Sequence, residues 1–168
     1  MNERLENVMG IKILVMDVDG TLTDGKIYMG DNGEVCKAFN IKDGYGIHDI
    51  LIPAGIIPVI ITGRRSKIVE NRCAELGITE IHQGVKDKVE KLMEVISRIG
   101  VELKETAYIG DDLNDMTCMR TVKEAGGIVG CPADAAKEVR EYSDFVAMAR
   151  GGDGAVREYI EHIVSEGI

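Results

Sequence analysis

The sequence is poor in aromatic side chains and contains no tryptophan. Phe, Tyr and Trp together make up 4% of its 168 residues, too few for the stacked aromatic surfaces that bind single-stranded nucleic acid. Basic residues are also in deficit, with 20 Lys and Arg against 29 Asp and Glu and a formal net charge of −9. Because nucleic-acid binding needs positive charge along the phosphate backbone, we expect no nucleic-acid partner.

Cysteine pairs and long apolar runs are missing as well. The four cysteines form no CxxC pair, which favours reduced thiols in a cytoplasmic protein. The first ten residues lack the apolar core of a signal peptide, and no apolar run approaches the about 20 residues of a membrane-spanning helix. We therefore expect a cytoplasmic chain without a membrane partner, folded as one domain over residues 1–168.

Short apolar runs alternate with amphipathic segments along the chain. Strands are predicted at 11–16, 56–61, 79–82, 106–109, 127–130 and 144–147. Helices are predicted at 45–54, 65–76, 87–99, 112–123, 133–141 and 154–165. This alternation predicts an α/β fold with a doubly wound, Rossmann-like parallel sheet covered on both faces. Asp31-Asn32-Gly33 between 27–29 and 34–39 predicts a β-hairpin outside the alternation.

Polar residues follow four of the predicted strands. In chain order these segments are Asp17-Val18-Asp19-Gly20-Thr21-Leu22-Thr23, Thr62-Gly63-Arg64-Arg65, Gln83-Gly84 with Lys86 and Lys88, and Gly110-Asp111-Asp112 with Asn114 and Asp115. Ligands of open parallel sheets bind beyond the carboxyl ends of the strands. The four segments therefore predict one active site at that edge.

The residue types in these segments indicate phosphoryl transfer. Carboxylates of Asp17 and Asp111 would repel each other at one edge unless a hard cation such as Mg²⁺ lay between them. A carboxylate beside Mg²⁺ suggests an aspartyl-phosphate intermediate. Thr62 and Lys88 are the candidate donors to the transferring oxygens. Asp19 points the same way as Asp17 if the chain is extended there, so it is the candidate proton donor.

The same segments resemble the four motifs of the haloacid dehalogenase superfamily, in the family's order and across essentially the whole chain. The resemblance implies that Asp17 is the nucleophile and a Mg²⁺ ligand, and that Asp19 is the general acid and base and binds Mg²⁺ through its backbone carbonyl. Asp111 would be the third protein ligand, and Thr62 and Lys88 would hold the phosphoryl oxygens.

Three further residues of these motifs keep alternative readings. The resemblance implies that Asp112 and Asp115 support the metal ligands and Lys88, although both could simply cap a helix. Lys86 is a rival for the role of Lys88.

The spacing of the motifs leaves no room for a cap domain. Only 43 positions separate Asp19 from Thr62, and the hairpin and one helix occupy them. A lone subunit would therefore have an open site that excludes water poorly. A neighbouring subunit could supply the missing wall.

The chain is most similar to one capless branch, the 3-deoxy-D-manno-octulosonate 8-phosphate phosphatases and their nonulosonate 9-phosphate relatives. The matching stretches are 39–47, 62–64, 83–84, 110–115 and 150–158. The resemblance implies a homotetramer with the hairpins in a central barrel, and a glycine-rich segment at 150–154 that reaches toward an adjacent site. It implies substrate contacts from Asn40, Lys42, Asp43, Gly44, His48, Gly63, Arg64, Arg72 and Asn114.

The expected activity is Mg²⁺-dependent hydrolysis of an eight-carbon sugar-acid phosphate, 3-deoxy-D-manno-octulosonate 8-phosphate. The resemblance favours this substrate through Arg64, because the octulosonate enzymes carry Arg after Thr-Gly whereas a nonulosonate phosphatase type carries Glu. A guanidinium there could pair with the sugar carboxylate. His48 departs from the Arg or Lys common in the octulosonate enzymes. The alternatives are a 9-phosphate phosphatase for a nonulosonic acid and a catalytically silent partner module of sugar-acid activation. A two-component receiver domain is not favoured. Its paired acids follow the first strand, whereas Asp111-Asp112 come after the lysine in this sequence.

Overall fold

The computed structural model describes residues 10–167, and its centre is a parallel sheet. The strands of this sheet are β1 (Ile13–Met16), β4 (Ile57–Ile61), β5 (Glu80–His82), β6 (Thr106–Ile109), β7 (Ile128–Cys131) and β8 (Phe145–Val146). Their order is β5-β4-β1-β6-β7-β8, and every neighbouring pair is parallel. The chain order reverses direction at β1, which confirms the doubly wound fold. No cap domain interrupts the described residues.

β1 lies in the middle of the sheet because its side chains are apolar on both faces. Val15 is in register with Val59 of β4 on one side and with Tyr108 of β6 on the other. All four β1 residues have no solvent exposure. A strand buried in this way places the residue after it, Asp17, at the centre of the carboxyl edge.

Helices cover both faces of the sheet. They are α1 (Ile41–Tyr45), α2 (Lys67–Glu75), α3 (Lys88–Ile99), α4 (Met116–Glu124), α5 (Lys137–Tyr142) and α6 (Ala155–Ser165). One core forms where Leu14 and Met16 face α2 and α6, and the second forms where Ile13 and Val15 face α3 and α4. None of the helices within residues 10–167 is both long and apolar enough to cross a membrane.

The predicted helix at 45–54 differs most from the structure. Helical structure begins earlier, at α1, because Asn40 is extended and its side chain accepts a hydrogen bond from the backbone N–H of Lys42. A π-helical segment, Gly46–Leu51, continues directly from α1. The segment predicted as a helix at 133–141 is also shorter, since the N–H of Ala136 donates to the carbonyl of Asp111 before α5 begins.

The predicted hairpin is present as β2 (Tyr28–Gly30) and β3 (Gly33–Cys36), an antiparallel pair separate from the main sheet. A bridge between Thr23 and Phe39 closes its base. Two of its apolar side chains, Met29 and Val35, are 62% and 65% exposed. The hairpin therefore projects from the sheet edge that carries the polar segments.

Candidate active site

Asp17 leads into a tight turn that requires glycine. Its N–H donates to the carbonyl of Ile109, which continues the sheet by one residue. The N–H groups of the following turn fold back onto the carbonyl of Val18. Gly20 has φ +89°, and a Cβ there would lie 2.1 Å from Oδ2 of Asp111. Glycine thus lets the loop after β1 contact the loop after β6.

Lys88 joins two aspartates at the base of the site. Its Nζ lies 2.9 Å from Oδ1 of Asp17 and 2.8 Å from Oδ1 of Asp115. Lys88 is the first residue of α3, where Asp87 caps the helix by accepting from the N–H of Glu90. The side chains of Asp17 and Lys88 are each 6% exposed and that of Asp115 is 0% exposed. By contrast, Lys86 lies on an exposed loop, so the geometry favours Lys88 over its rival.

Asp115 uses both carboxylate oxygens to hold its neighbours. Oδ1 accepts from Lys88 and from the hydroxyl of Tyr108, at 2.7 Å. Oδ2 accepts from the N–H groups of Asp111 and Asp112, at 3.1 and 3.4 Å. The side chain of Asp112 points elsewhere and caps a short turn through the N–H of Leu113, at 2.8 Å. Asp115 therefore positions the loop that carries Asp111.

The donor set fits a hard divalent cation. Oxygens of Asp17, Asp111 and Asp115 lie within 4.8 Å of one another, and both oxygens of Asp115 already have donors. Burial, followed by the charge of Asp115, raises the pKa of Asp17 to about 6, although Lys88 opposes the rise. Burial and the charges of Asp17 and Asp115 raise the pKa of Asp111 to about 7. Two crowded carboxylates without enough positive charge are suited to Mg²⁺.

Asp19 contacts a buried lysine of the hairpin. Nζ of Lys37 donates to Oδ1 of Asp19 at 2.5 Å and pairs with Oε1 of Glu34 at 2.8 Å. Burial alone would lower the pKa of Lys37, but the hydrogen bonds and charges of the two carboxylates outweigh it and the pKa is raised. Glu34 also accepts from the hydroxyl of Ser66 at 2.5 Å and lies 3.7 Å from Arg64.

The loop after β4 lies beside the loop after β1, because β4 and β1 are neighbours in the sheet. Thr62 is buried. Its N–H donates to the carbonyl of His82, and its carbonyl accepts from the N–H of Val85. Gly63 lines a cleft of about 430 Å³ together with Lys88 and Asn114. Arg64 is half exposed at the hairpin. Thr62 follows β4 directly, and Lys88 begins the helix after the neighbouring strand β5.

Three predicted substrate residues lie at the start of α1 or directly before it, and two of them have partners within the chain. Asn40 is the α1 cap described above, and its amide also lies 3.4 Å from Asp153. The carboxylate of Asp43 is buried and accepts from the N–H groups of Gly154 and Arg157, at 3.3 and 2.9 Å. It therefore caps the start of α6, while Lys42 is exposed.

Gly44 and Arg72 are packed against each other. A Cβ on Gly44 would lie 2.4 Å from a guanidinium nitrogen of Arg72. The guanidinium also lies 5.9 Å from the ring centre of Phe39 and donates to Glu75 at 2.9 Å. Its Nε is buried without a hydrogen-bond partner in the described chain. His48 points to solvent beside Asp49 and contacts none of these groups.

The glycine-rich segment at 150–154 packs on the loop after β1 of the same chain. The N–H of Gly152 donates to the carbonyl of Thr21 at 3.1 Å. A Cβ on Gly151 would lie 1.9 Å from the carbonyl oxygen of Gly20. The segment therefore packs against the loop after β1 and supports it. The sequence did not indicate this role.

Sequence reasoning missed four site residues: Thr21, whose hydroxyl donates to Asp111 at 3.1 Å, together with Glu34, Lys37 and Tyr108. Thr21 belongs to the first motif, and its position was the available signal. Tyr108 lies on the most buried strand, where a hydroxyl needs a partner. The alternation of the hairpin strand gave no comparable signal for Glu34 and Lys37.

A capless doubly wound sheet, with paired aspartates after its central strand and a lysine held by an aspartate beside them, defines a phosphatase-type domain of the haloacid dehalogenase superfamily. A scan against models of known protein families gives no match. The chain is 45% identical to 3-deoxy-D-manno-octulosonate 8-phosphate phosphatase KdsC of Escherichia coli K12 over 148 residues, which covers 88% of this chain and 76% of that protein.

Solved structures of 3-deoxy-D-manno-octulosonate 8-phosphate phosphatases are also similar to this chain. The Moraxella catarrhalis 3-deoxy-D-manno-octulosonate 8-phosphate phosphatase, in complex with magnesium ion, phosphate ion and KDO, is 43% identical with a TM-score of 0.85, covering 92% of this chain and 86% of that one. The cobalt-bound Haemophilus influenzae phosphatase is 36% identical with a TM-score of 0.88, covering 95% and 91%. The chain belongs to the 3-deoxy-D-manno-octulosonate 8-phosphate phosphatase family.

Proposed function

We propose that this chain is a Mg²⁺-dependent phosphoric monoester hydrolase that converts 3-deoxy-D-manno-octulosonate 8-phosphate to the free sugar acid and phosphate. The observation that carries the proposal is the buried cluster in which Lys88 pairs with Asp17 and Asp115 beside Asp111. A silent module would not need a nucleophile, a lysine and two metal-binding carboxylates in working order. The relatives' substrate supports the choice of sugar acid.

The reaction uses Asp17 as the nucleophile. Its carboxylate attacks phosphorus, the bond to the sugar oxygen breaks, and that oxygen takes a proton from Asp19. Asp19 then removes a proton from water, which attacks the aspartyl-phosphate and releases phosphate. Asp17 is regenerated as a carboxylate and Asp19 as an acid, so the cycle is closed.

Cationic and hydroxyl groups hold the transferring oxygens. The ammonium of Lys88 and the hydroxyl of Thr62 would stabilise the charge on these oxygens. Mg²⁺, held by carboxylates of Asp17 and Asp111 and by the backbone carbonyl of Asp19, would supply charge that offsets the carboxylates and the phosphoryl group. Asp115 keeps Lys88 and the Asp111 loop in place through the four hydrogen bonds given above.

Two arginines favour a substrate with a carboxylate. Arg64 lies next to the Thr62 loop with its guanidinium half exposed, and Arg72 has a buried Nε without a partner in the described chain. A guanidinium binds a carboxylate through two parallel hydrogen bonds. Neutral sugar phosphates lack this group, so they should bind more weakly than sugar acids.

We also propose a cytoplasmic homotetramer assembled through the hairpins. The exposed apolar side chains Ile27, Met29 and Val35 support this, since isolated hairpins in water gain stability by covering such groups. Light scattering should give four times the 18.3 kDa subunit mass. A monomeric mass would refute the assembly, and Met29→Glu should weaken it.

A substrate panel tests the activity. Phosphate release is measured with the octulosonate 8-phosphate, a nonulosonate 9-phosphate, glucose 6-phosphate and 4-nitrophenyl phosphate, each with Mg²⁺ and with EDTA. We expect the octulosonate ester to have the highest kcat/KM and EDTA to abolish turnover. A preference for the nonulosonate ester would assign the alternative substrate, and equal kcat/KM on all four would contradict the specificity.

A further inference from the structure

Lys37 is a buried lysine in an exposed hairpin. Its side chain is 2% exposed, whereas Met29 and Val35 of the same hairpin are mostly exposed. Removing an ammonium group from water costs free energy unless opposite charges replace the water. The groups that face Lys37 are the carboxylates of Asp19 and Glu34, at 2.5 and 2.8 Å. Its position is therefore held by these two partners.

Glu34 connects this lysine to the loop after β4. One oxygen of Glu34 contacts Lys37, and the other accepts from the hydroxyl of Ser66 at 2.5 Å. Ser66 is held in turn, because its N–H donates to the side chain of Gln83 at 2.8 Å. Lys37 is thus held by a chain of contacts that ends at Gln83, the residue directly after β5, so its ammonium has a defined position before substrate binds.

Asp19 receives only one contact from this arrangement. Its Oδ1 accepts from Lys37, while Oδ2 has no hydrogen-bond partner among the described residues. A carboxylate held by one oxygen keeps its orientation and leaves the other oxygen to exchange a proton with the substrate or with water. Efficient proton transfer requires such a fixed position, within hydrogen-bond reach of the reacting oxygen.

We propose that Lys37 is a positioning residue that orients the carboxylate of Asp19 for both proton transfers, with Glu34 as its anchor. The inference rests on the proposed function, in which Asp19 is the general acid and base. In this proposal Lys37 acts on Asp19 and not directly on the phosphoryl group or the sugar. Its effect passes through Asp19, so it should depend on how much the leaving group needs a proton.

The leaving group therefore distinguishes positioning from general structural damage. The sugar alkoxide is strongly basic and needs the proton of Asp19 to depart, whereas 4-nitrophenolate departs without one. In Lys37→Met, formation of the aspartyl-phosphate should be slowed with the sugar-acid phosphate and unchanged with 4-nitrophenyl phosphate. Hydrolysis of the intermediate still needs Asp19 as base, so the aryl substrate should give a burst of nitrophenolate equal to about one per site.

The experiment compares Lys37→Met and Lys37→Arg with Lys26→Met, a matched control that removes an exposed lysine at the start of the same hairpin. For Lys37→Met we expect kcat on the sugar-acid phosphate to fall on the order of 10- to 100-fold, within the contribution of general acid–base catalysis. KM should change less than about 3-fold, since the binding contacts remain. Lys37→Arg should recover part of kcat, and Lys26→Met should match the parent.

A double variant tests whether Lys37 acts through Asp19. If Lys37 acts through Asp19, then Lys37→Met should cause no further loss in an Asp19→Asn background. Independent, additive losses would overturn the proposal. So would an unchanged kcat, or an equal slowing of the first step with both substrates.

Two readouts keep the inference distinct from the proposed function and from the fold. If the parent fails to hydrolyse the sugar-acid phosphate, the proposed substrate is wrong, and the comparison of burst with steady-state rate on the aryl phosphate still decides the role of Lys37. If Lys37→Met melts well below the parent, Glu34→Gln serves instead. It removes the anchor and should give the same burst with a smaller loss; no burst would overturn the proposal.

Discussion

Asp115→Asn tests whether the buried carboxylate of Asp115 holds Lys88 and the Asp111 loop in position. Asp115 has no solvent exposure and accepts four hydrogen bonds, two on each oxygen. An asparagine amide can satisfy one of these pairs only, because its NH₂ group would face either Lys88 and Tyr108 or two backbone N–H groups. Lys88 would then keep one charged partner, Asp17.

The magnitude follows from the loss of a buried charge partner. Removing one member of a buried ion pair costs about 3–5 kcal/mol. At about 2–4 °C per kcal/mol for a domain of this size, the melting temperature should fall by about 6–20 °C. We expect phosphatase activity to fall at least about 100-fold, because Lys88 and the Asp111 loop lose their common support.

Differential scanning calorimetry in EDTA gives the stability change without a metal contribution. Asp112→Asn is the matched control for stability, since its exposed side chain caps one turn and Asn caps about as well as Asp. Its melting temperature should stay within about 2 °C of the parent. If Asp115→Asn melts like this control, the four hydrogen bonds do not hold the site together.

Three further outcomes are expected. The raised pKa values of Asp17 and Asp111, about 6 and about 7, mean that the folded metal-free protein holds protons that the unfolded chain has released above pH 4. Its stability should therefore fall as pH rises from about 4 to 7, and Mg²⁺ should raise the melting temperature more at pH 7.5 than at pH 5; an equal rise at both would contradict the metal site. Gly151→Ala should destabilise the protein and slow turnover, since its Cβ would collide with Gly20 in the loop after β1. Gly10→Ala, with nothing within 4 Å, should change neither the melting temperature nor the turnover. Arg64→Met should raise KM for the sugar-acid phosphate about 10-fold or more and leave KM for 4-nitrophenyl phosphate unchanged, because one bidentate ion pair is lost; an equal rise for both would place Arg64 outside carboxylate binding.

The sequence predicted best the features that follow from the burial and the common direction of the strands. The apolar run at 11–16 can be buried on both faces only in a central parallel strand, and β1 occupies that place. Parallel strands end at one edge, so Asp17 and Asp111 near the ends of β1 and β6, and Lys88 in the segment after β5, could be expected to lie close together. The regular part of the fold and the core of the site could be predicted for this reason.

Contacts that depend on irregular backbone could not be predicted. Lys37 reaches Asp19 across 18 positions, and only the register of the hairpin and its angle to the sheet decide that contact. The π-helical turn after α1 has no pattern of its own, because its apolar residues fit an ordinary helix equally well. The glycines at 151 and 152 looked like a turn, and their use in packing on Gly20 depends on where α6 begins.

The proposed mechanism requires Asp17 to form a covalent phosphoryl intermediate on the way from a sugar-acid phosphate to free phosphate. The direct test is phosphate release from 3-deoxy-D-manno-octulosonate 8-phosphate with Mg²⁺ by the parent and by Asp17→Asn, with circular dichroism to establish that both are folded. We predict turnover by the parent and none above background by the folded variant. Turnover by Asp17→Asn at the rate of the parent would contradict the mechanism.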